Sequence, residues 1–184
     1  MSNTVNHWMS WEGGVDLAAQ YEGKETSMVL AHVAAMVHTP VGSAPAGMVL
    51  FQESADDAPS LMGFISTDQS VADYFGPNIF AGTPFESAPG LVAEINVTRG
   101  DSSCSAEVKV GDTHIAMTLG DLGPTIRSTR DASDHTPFTE QMLERIAGTA
   151  SLQVNGEEIA LSIPDATPGS APPVAYTPTG IYSR

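Results

Sequence analysis

The strongest indication of the fold comes from residues 91–119, which read LVAEINVTRGDSSCSAEVKVGDTHIAMTL. Apolar and polar residues alternate along this stretch, which is the period-2 pattern of half-buried strands. The dipeptide Gly-Asp at 111–112 interrupts the alternation and is typical of a two-residue hairpin turn. A turn there places Val108 opposite Ile115, so that apolar residues meet on one face of the sheet. The stretch therefore predicts a three-stranded antiparallel meander.

The dipeptide Asn-Gly at 155–156 predicts a second hairpin. A turn at this position pairs Leu152 with Ile159 and Ala150 with Leu161, again with apolar residues on one face. Two independent hairpins in the C-terminal half indicate a strand-rich fold.

Residues 28–38, which read MVLAHVAAMVH, are apolar except for two histidines, and their spacing fits both a helix and a strand. We favour a strand. The apolar runs at 48–51 and 61–65 that follow are also short enough to be buried strands. In a strand, at about 3.3 Å per residue, His32 and His38 lie about 20 Å apart and cannot bind one metal ion together.

Two short helices are predicted, one at 67–75 and one at 137–147. Ser66, followed three residues later by Gln69, forms a capping-box pattern at the start of the first helix, and the Gly-Pro pair at 76–77 ends it. In the second, Phe138, Met142 and Ile146 repeat every four residues, as they would on the packing face of a helix.

The length of 184 residues is typical of one domain. We predict a globular domain over 1–163 and, because prolines recur after Pro164, an extended Pro-rich tail over 164–184. The predicted fold class is α+β and mainly antiparallel β, a sandwich or an open barrel with two short helices.

The chain is strongly acidic, because Lys+Arg 7 against Asp+Glu 22 give a formal net charge of −15. Its few basic residues form no stripe that could neutralise phosphates, which argues against nucleic acid and a membrane surface as partners. Cys104 is the only cysteine, so an intramolecular disulfide is excluded. No stretch has the roughly 18 apolar residues of a membrane helix, and the N-terminus lacks the features of a signal peptide. We therefore expect a cytoplasmic protein.

One polar row on the predicted meander has the residue types of acid–base chemistry. The register sets Glu94 beside Lys109 and Lys109 opposite His114, which lines up a carboxylate, a cation and a near-neutral base. These three are the candidate catalytic residues. The alternative is a solvated, salt-bridged surface in which each cross-strand pair contributes about 0.2–1 kcal/mol.

A ligand pocket is predicted from the aromatic residues of the loop at 75–86. Phe80 and Phe85 lie among turn residues after the first helix, a composition that suits the rim of an apolar pocket. Together with His32 they are the candidate ligand-binding residues. The loop could instead fold its aromatic residues onto the core or form a contact in a homo-oligomer.

The candidate metal ligands are Asp131, Asp134 and His135, just before the second predicted helix. Their spacing matches no strong metal signature, and turn and cap chemistry explains these residues equally well. No phosphate-binding glycine loop, His-Glu-x-x-His, Cys-x-x-Cys or Gly-x-Ser-x-Gly motif is present, so no cofactor is identified.

The leading functional hypothesis is a β-rich domain that binds a small, apolar molecule, or an accessory domain of the same kind. The first alternative is an enzyme that uses acid–base or single-metal chemistry through histidines and carboxylates. The second alternative is a structural homo-oligomeric protein.

Overall fold

The structure is a computed structural model that describes residues 7–133, 136–167 and 171–184. Most of these residues lie in antiparallel strands, and one short helix of 11 residues follows the fourth strand. This helix consists of α1 (Gln69–Tyr74) and a π-helical turn, Phe75–Ile79, that continues it. Fourteen strands have the following bounds: β1 Trp8–Tyr21, β2 Met28–Thr39, β3 Gly42–Gln52, β4 Leu61–Ser66, β5 Gly90–Val92, β6 Glu94–Arg99, β7 Cys104–Val110, β8 Thr113–Gly120, β9 Ile126–Arg130, β10 Thr139–Ile146, β11 Thr149–Val154, β12 Glu157–Glu158, β13 Leu161–Ser162 and β14 Val174–Ser183.

The strands form two sheets. The larger has the order β5-β4-β3-β2-β1-β14-β10-β9, with β13 paired to β1 as well, and the smaller has the order β12-β11-β8-β7-β6. Every pair is antiparallel except β4 and β5, which run parallel. Successive strands are mostly neighbours, as short connections favour.

One face of the larger sheet packs against the smaller sheet. Both sheets contribute fully buried side chains to this shared core: Leu17, Val29 and Ile65 from the larger sheet, and Ile115 and Leu119 from the smaller one. Full burial of each such side chain contributes about 1.5–3 kcal/mol. The alternation of apolar residues in both sheets therefore determines which faces meet.

The opposite face of the larger sheet is covered by the helix and the loop that follows it. Trp11, Phe64, Phe75, Ile79 and Phe138 are buried in this second apolar cluster. The candidate site described below lies on this face, away from the smaller sheet.

The side-chain alternation of β1 shifts by one residue at Gly13. In a regular strand Trp11 would face the side opposite to Gly14 and Asp16. All three nevertheless line one cavity, which is described below. Gly13 has a left-handed φ of 66°, and a Cβ there would lie 3.1 Å from the Cβ of Ala35 on β2. Because glycine adopts this φ without steric cost, β1 presents Trp11 and Asp16 to one side of the sheet.

The first predicted hairpin is confirmed in its register, since Val108 pairs with Ile115 across the turn at 111–112. The first strand of the meander is divided at Ala93. Its beginning is β5, which joins the larger sheet, and its continuation is β6, which joins the smaller one. The prediction of a strand at 28–38 is also confirmed by β2.

The second predicted hairpin is confirmed only near its turn. The amide of Ile159 donates to the carbonyl of Leu152 over 2.9 Å, as that register requires. The predicted pair of Ala150 and Leu161 is wrong, because Leu161 pairs with Tyr21 of β1. The chain crosses from the smaller to the larger sheet at this point.

The predicted helix at 137–147 is wrong, because these residues form the strand β10. A spacing of four is an even number, so Phe138 and Met142 also share one face of a strand. Pairing with β9 on one side and β14 on the other satisfies the backbone of β10 and overrides its helical propensity. The described part of the chain therefore contains one helix where two were predicted.

The predicted helix at 67–75 is confirmed with different ends. Asp68, rather than Ser66, caps it by accepting a hydrogen bond from the amide of Ser70 over 2.8 Å. The helix continues through Pro77 in the π-helical turn, which the amide of Phe80 closes by donating to the carbonyl of Phe75.

The predicted tail at 164–184 needs a correction. Residues 174–183 are extended, as expected, but they form β14 in the interior of the larger sheet, between β1 and β10. Pro178 interrupts the pairing of β14 with β1 at one position only. Thr177 and Thr179 on either side of it pair with Gly14 and Glu12. Over the part of the chain that the structure describes, no helix is long and apolar enough to cross a membrane.

Candidate functional site

A cavity of about 80 Å³ lies between the larger sheet and the helix with its following loop. Five aromatic side chains line it: Trp11, Phe64, Phe75, Phe80 and Tyr182. Met9 and Met48 add flexible apolar walls, since methionine adapts to irregular shapes. The cavity is therefore largely apolar.

Asp16 and His32 form the polar end of the cavity. The neighbouring strands β1 and β2 place them directly opposite each other, and Nδ1 of His32 lies 3.1 Å from Oδ1 of Asp16. Because a carboxylate only accepts hydrogen bonds, Nδ1 carries the proton of this contact. Among the described residues, Nε2 of His32 has no hydrogen-bond partner.

The second oxygen of Asp16 is held by a relay from β14. The hydroxyl of Thr177 donates to Oδ2 of Asp16 over 2.9 Å, and the indole Nε1 of Trp11 donates to Oγ1 of Thr177 over 2.9 Å. Trp11 and Thr177 are both buried. This relay fixes the carboxylate against His32.

The surroundings of His32 change its proton affinity. Burial by itself lowers the pKa of His32, but the hydrogen bond and charge of Asp16, with the charge of Glu140, raise that pKa above its ordinary value. The side chain is 45% exposed, so water reaches it and screens part of this effect.

A buried ionic cluster extends the same sheet face onto β9 and β10. Arg130 contacts Glu140 over 3.2 Å and both oxygens of Glu144 over 2.9 and 3.1 Å. Ser128 donates a further hydrogen bond to Glu144. Burial raises the pKa of Glu140, against the opposing effect of Arg130. One guanidinium thus serves two carboxylates.

Tyr182 lies between the ionic cluster and the cavity. It pairs with Glu140 across β14 and β10, and its ring stacks on Phe138 at a centroid distance of 4.1 Å. Burial, followed by the charges of Glu140 and Asp16, raises the pKa of Tyr182 well above its ordinary value. The phenol therefore stays protonated at neutral pH.

The structure brings two of the three predicted ligand-binding residues to the cavity. His32 and Phe80 both line it. Phe85 packs on Phe80 at a centroid distance of 6.2 Å and supports the wall from behind. The loop at 75–86 thus packs its aromatic residues against the larger sheet, which agrees with the alternative prediction that they fold onto the core.

The predicted row of Glu94, Lys109 and His114 exists in the smaller sheet. Glu94 pairs with Lys109, and Lys109 pairs with His114, in the predicted register. All three are exposed on the face that points away from the core, and no salt bridge joins them. None of the three lines the cavity, which lies on the outer face of the larger sheet.

The candidate metal ligands are only partly described. Asp131 is exposed just after β9, while Asp134 and His135 lie outside the described residues. Over 7–133, 136–167 and 171–184, no group of three or more His, Cys, Asp or Glu side chains is arranged to hold a metal ion.

Several residues of this site were missed by sequence reasoning. Asp16 alternates with Val15, Leu17 and Ala19 and so takes the ordinary polar position of a half-buried strand, which gives no signal that it lines a cavity. The cluster around Arg130 and its two glutamates could not be seen because 137–147 was predicted as a helix.

Cys104 is a poor nucleophile in this fold. It is buried in the core between the sheets. Burial, with the nearby charge of Asp16 and against that of Arg145, raises the pKa of its thiol to about 12. Because the thiolate is the reactive form, the thiol is inert at neutral pH.

The arrangement has two chemical capacities. Aromatic walls of this kind suit apolar groups, and an imidazole in the position of His32 can exchange a proton with a group placed at the polar end. Among protein-family models, curated proteins and solved structures, none matches this chain.

Proposed function

We propose that the protein binds a small, mostly apolar molecule in the cavity on the outer face of the larger sheet. One observation carries the proposal: five aromatic side chains converge on a cavity whose polar end is a fixed Asp16–His32 pair. Apolar walls with a few oriented polar groups are the usual composition of small-molecule sites. In our proposal the two sheets form a sandwich, and the ligand lies outside its inter-sheet core.

The size of the cavity limits the ligand. Its volume of about 80 Å³ is smaller than the cavity of about 150 Å³ that holds benzene in a protein core. The part of the ligand that enters is therefore a compact group or a short chain. The flexible side chains of Met9 and Met48 allow modest expansion.

An NMR titration with neutral probes tests the binding function. We expect 1-propanol and 1-butanol to shift the indole N–H signal of Trp11, which lines the cavity, and to leave that of Trp8 unchanged. The variant Ala34→Leu fills the cavity and should abolish the shift. Absence of any shift at millimolar probe concentrations contradicts the proposal.

Ala44→Leu is the matched control for the cavity-filling variant. Ala44 is buried in the same apolar cluster but does not line the cavity. Each substitution overpacks the cluster and costs about 1–3 kcal/mol of stability. Binding should survive in Ala44→Leu and be lost in Ala34→Leu, provided that urea unfolding shows both variants to be folded.

Acid–base catalysis is a second candidate, favoured by the unpartnered Nε2 of His32. In this proposal Nε2 removes a proton from carbon next to a carbonyl group, and a solvent proton returns to that carbon. Deuterium exchange into butanone in D₂O, followed by NMR, tests this step. Exchange at least 100-fold faster than in His32→Gln supports it, in line with the usual contribution of general acid–base catalysis; equal rates leave binding as the function.

A further inference from the structure

We propose that the ligand carries a small cationic head group, such as a primary ammonium, which docks against Asp16 beneath the rings of Trp11 and Tyr182. This inference rests on the proposed binding function and adds the chemical class of the ligand. It comes from the balance of charges and the arrangement of aromatic rings around the cavity.

The polar end of the cavity has an excess of negative charge. Asp16, Glu140 and Glu144 lie on one face of the larger sheet, and Arg130 is the permanent cation that contacts this cluster. The guanidinium is already shared by the two glutamates. Among the residues that the structure describes, Asp16 therefore has only the partly exposed His32 as a cationic partner.

Aromatic rings complete a site that favours a cation. Trp11 and Tyr182 meet edge to face at a centroid distance of 4.7 Å, and both line the cavity. The indole hydrogen bond to Thr177 and the stacking of Tyr182 on Phe138 hold these rings in place. A desolvated cation over such rings gains the attraction of their quadrupoles in addition to the carboxylate contact.

The position of His32 is consistent with this inference, because burial disfavours a charge on its ring whereas Asp16 and Glu140 favour one. Its neighbours across the strands are Asp16 on β1 and Met48 on β3, and Glu140 acts on it from β10. The negative potential of these carboxylates favours a proton on His32 and equally favours a ligand cation. The two cations repel each other, so ligand binding displaces the His32 proton. The net charge of −15 adds a long-range attraction for cations.

The test compares three probes that share one alkyl chain and differ in charge: butylammonium, 1-butanol and butyrate. Affinities are measured by NMR titration of the Trp11 indole N–H at pH 8 and low salt. We expect butylammonium to bind at least ten-fold more tightly than 1-butanol, and butyrate to bind most weakly. Between pH 6 and pH 8 the affinity for butylammonium should rise, because His32 loses its proton.

The variant Asp16→Asn should reduce the affinity ratio of butylammonium to 1-butanol to about one. Glu12→Gln is the matched control, since Glu12 lies on the same strand but its side chain is 69% exposed and pairs with His38. The ratio should stay unchanged in this control. If Asp16→Asn does not fold, the pH dependence and the three-probe comparison in the unmodified protein decide the question.

The outcomes separate this inference from the proposed function. Binding of 1-butanol as tight as that of butylammonium, or a preference for butyrate, overturns the cationic ligand and leaves the apolar binding site standing. A fall in butylammonium affinity from pH 6 to pH 8 also overturns it. Failure of all three probes to bind overturns the proposed function and this inference together.

Discussion

His32 connects the cavity with the stability of the fold. Its ring is hydrogen-bonded to Asp16, and its pKa is raised by that residue and by Glu140 after the opposing effect of burial. A histidine whose folded pKa exceeds its unfolded value binds a proton more tightly in the folded state. Protonation of His32 and folding therefore favour each other.

We expect the free energy of unfolding to fall as the pH rises from 6 to 8.5. The stabilisation from His32 is fully present below the unfolded pKa of about 6.5 and is lost as the pH passes through the raised folded pKa. Urea unfolding across this range measures the effect. In His32→Gln this part of the slope should disappear, whereas His114→Gln, at an exposed position on the smaller sheet, should retain it. An unchanged slope in His32→Gln contradicts the prediction.

At the scale of elements, β10 illustrates how pairing overrides local preference. Its sequence TEQMLERI contains good helix formers, but the strand lies between β9 and β14. In this conformation every second side chain points to the covered face and is buried: Phe138, Glu140, Met142 and Glu144. Two carboxylates are consequently buried, and Arg130 on β9 is the side chain that pairs them.

We expect Arg130→Met to destabilise the protein by about 3–5 kcal/mol, because removing one partner of a buried ionic cluster leaves its carboxylates uncompensated. Urea unfolding at pH 7 measures the loss. Arg127→Met is the control, since Arg127 lies on the same strand with an exposed side chain, and a change within about 0.5 kcal/mol is expected there. Adding Glu140→Gln and Glu144→Gln to Arg130→Met should recover part of the stability. A loss below about 1 kcal/mol for Arg130→Met alone would show that the cluster is solvated.

The whole molecule carries a formal net charge of −15 on 184 residues. Self-repulsion at this charge opposes the compact state, and salt reduces the repulsion. The same charge keeps the protein apart from anionic surfaces. The negative potential of the whole molecule would also attract the cationic ligand that we propose.

We expect the thermal midpoint of unfolding to rise by about 2–8 °C when NaCl is added, equivalent to about 1–2 kcal/mol for a domain of this size. Most of the rise should occur below about 0.2 M, where the screening length falls to about 8 Å. Differential scanning calorimetry at several salt concentrations measures it. A rise that begins only above about 0.5 M would instead indicate preferential exclusion of salt from the protein surface, and would contradict the electrostatic origin.

Much of the strand-rich fold could be predicted from sequence, because its signals are local. The alternation at 91–119 and the turn at 111–112 determine which residues of β7 and β8 face each other, and a slip by one residue would expose the apolar set. The local signal is weaker at 28–38, where the spacing fits a helix as well as the strand that the structure contains. Phe80 and His32, which the sequence suggests as ligand-binding residues, both line the cavity, and their role in binding stays a prediction.

The tertiary structure alone decided how the site is assembled. The strand β14, from the C-terminal end of the chain, lies next to β1 in the larger sheet. This neighbourhood brings together the hydrogen-bonded residues of the site: Trp11, Asp16, His32 and Thr177. No local pattern encodes that contact, since Trp11 and Thr177 are separated by 166 positions. The conversion of 137–147 from a predicted helix to β10 has the same origin, because strand pairing depends on partners that lie elsewhere in the sequence. Local alternation determines the pairing of β7 with β8, whereas long-range pairing determines β10 and the site.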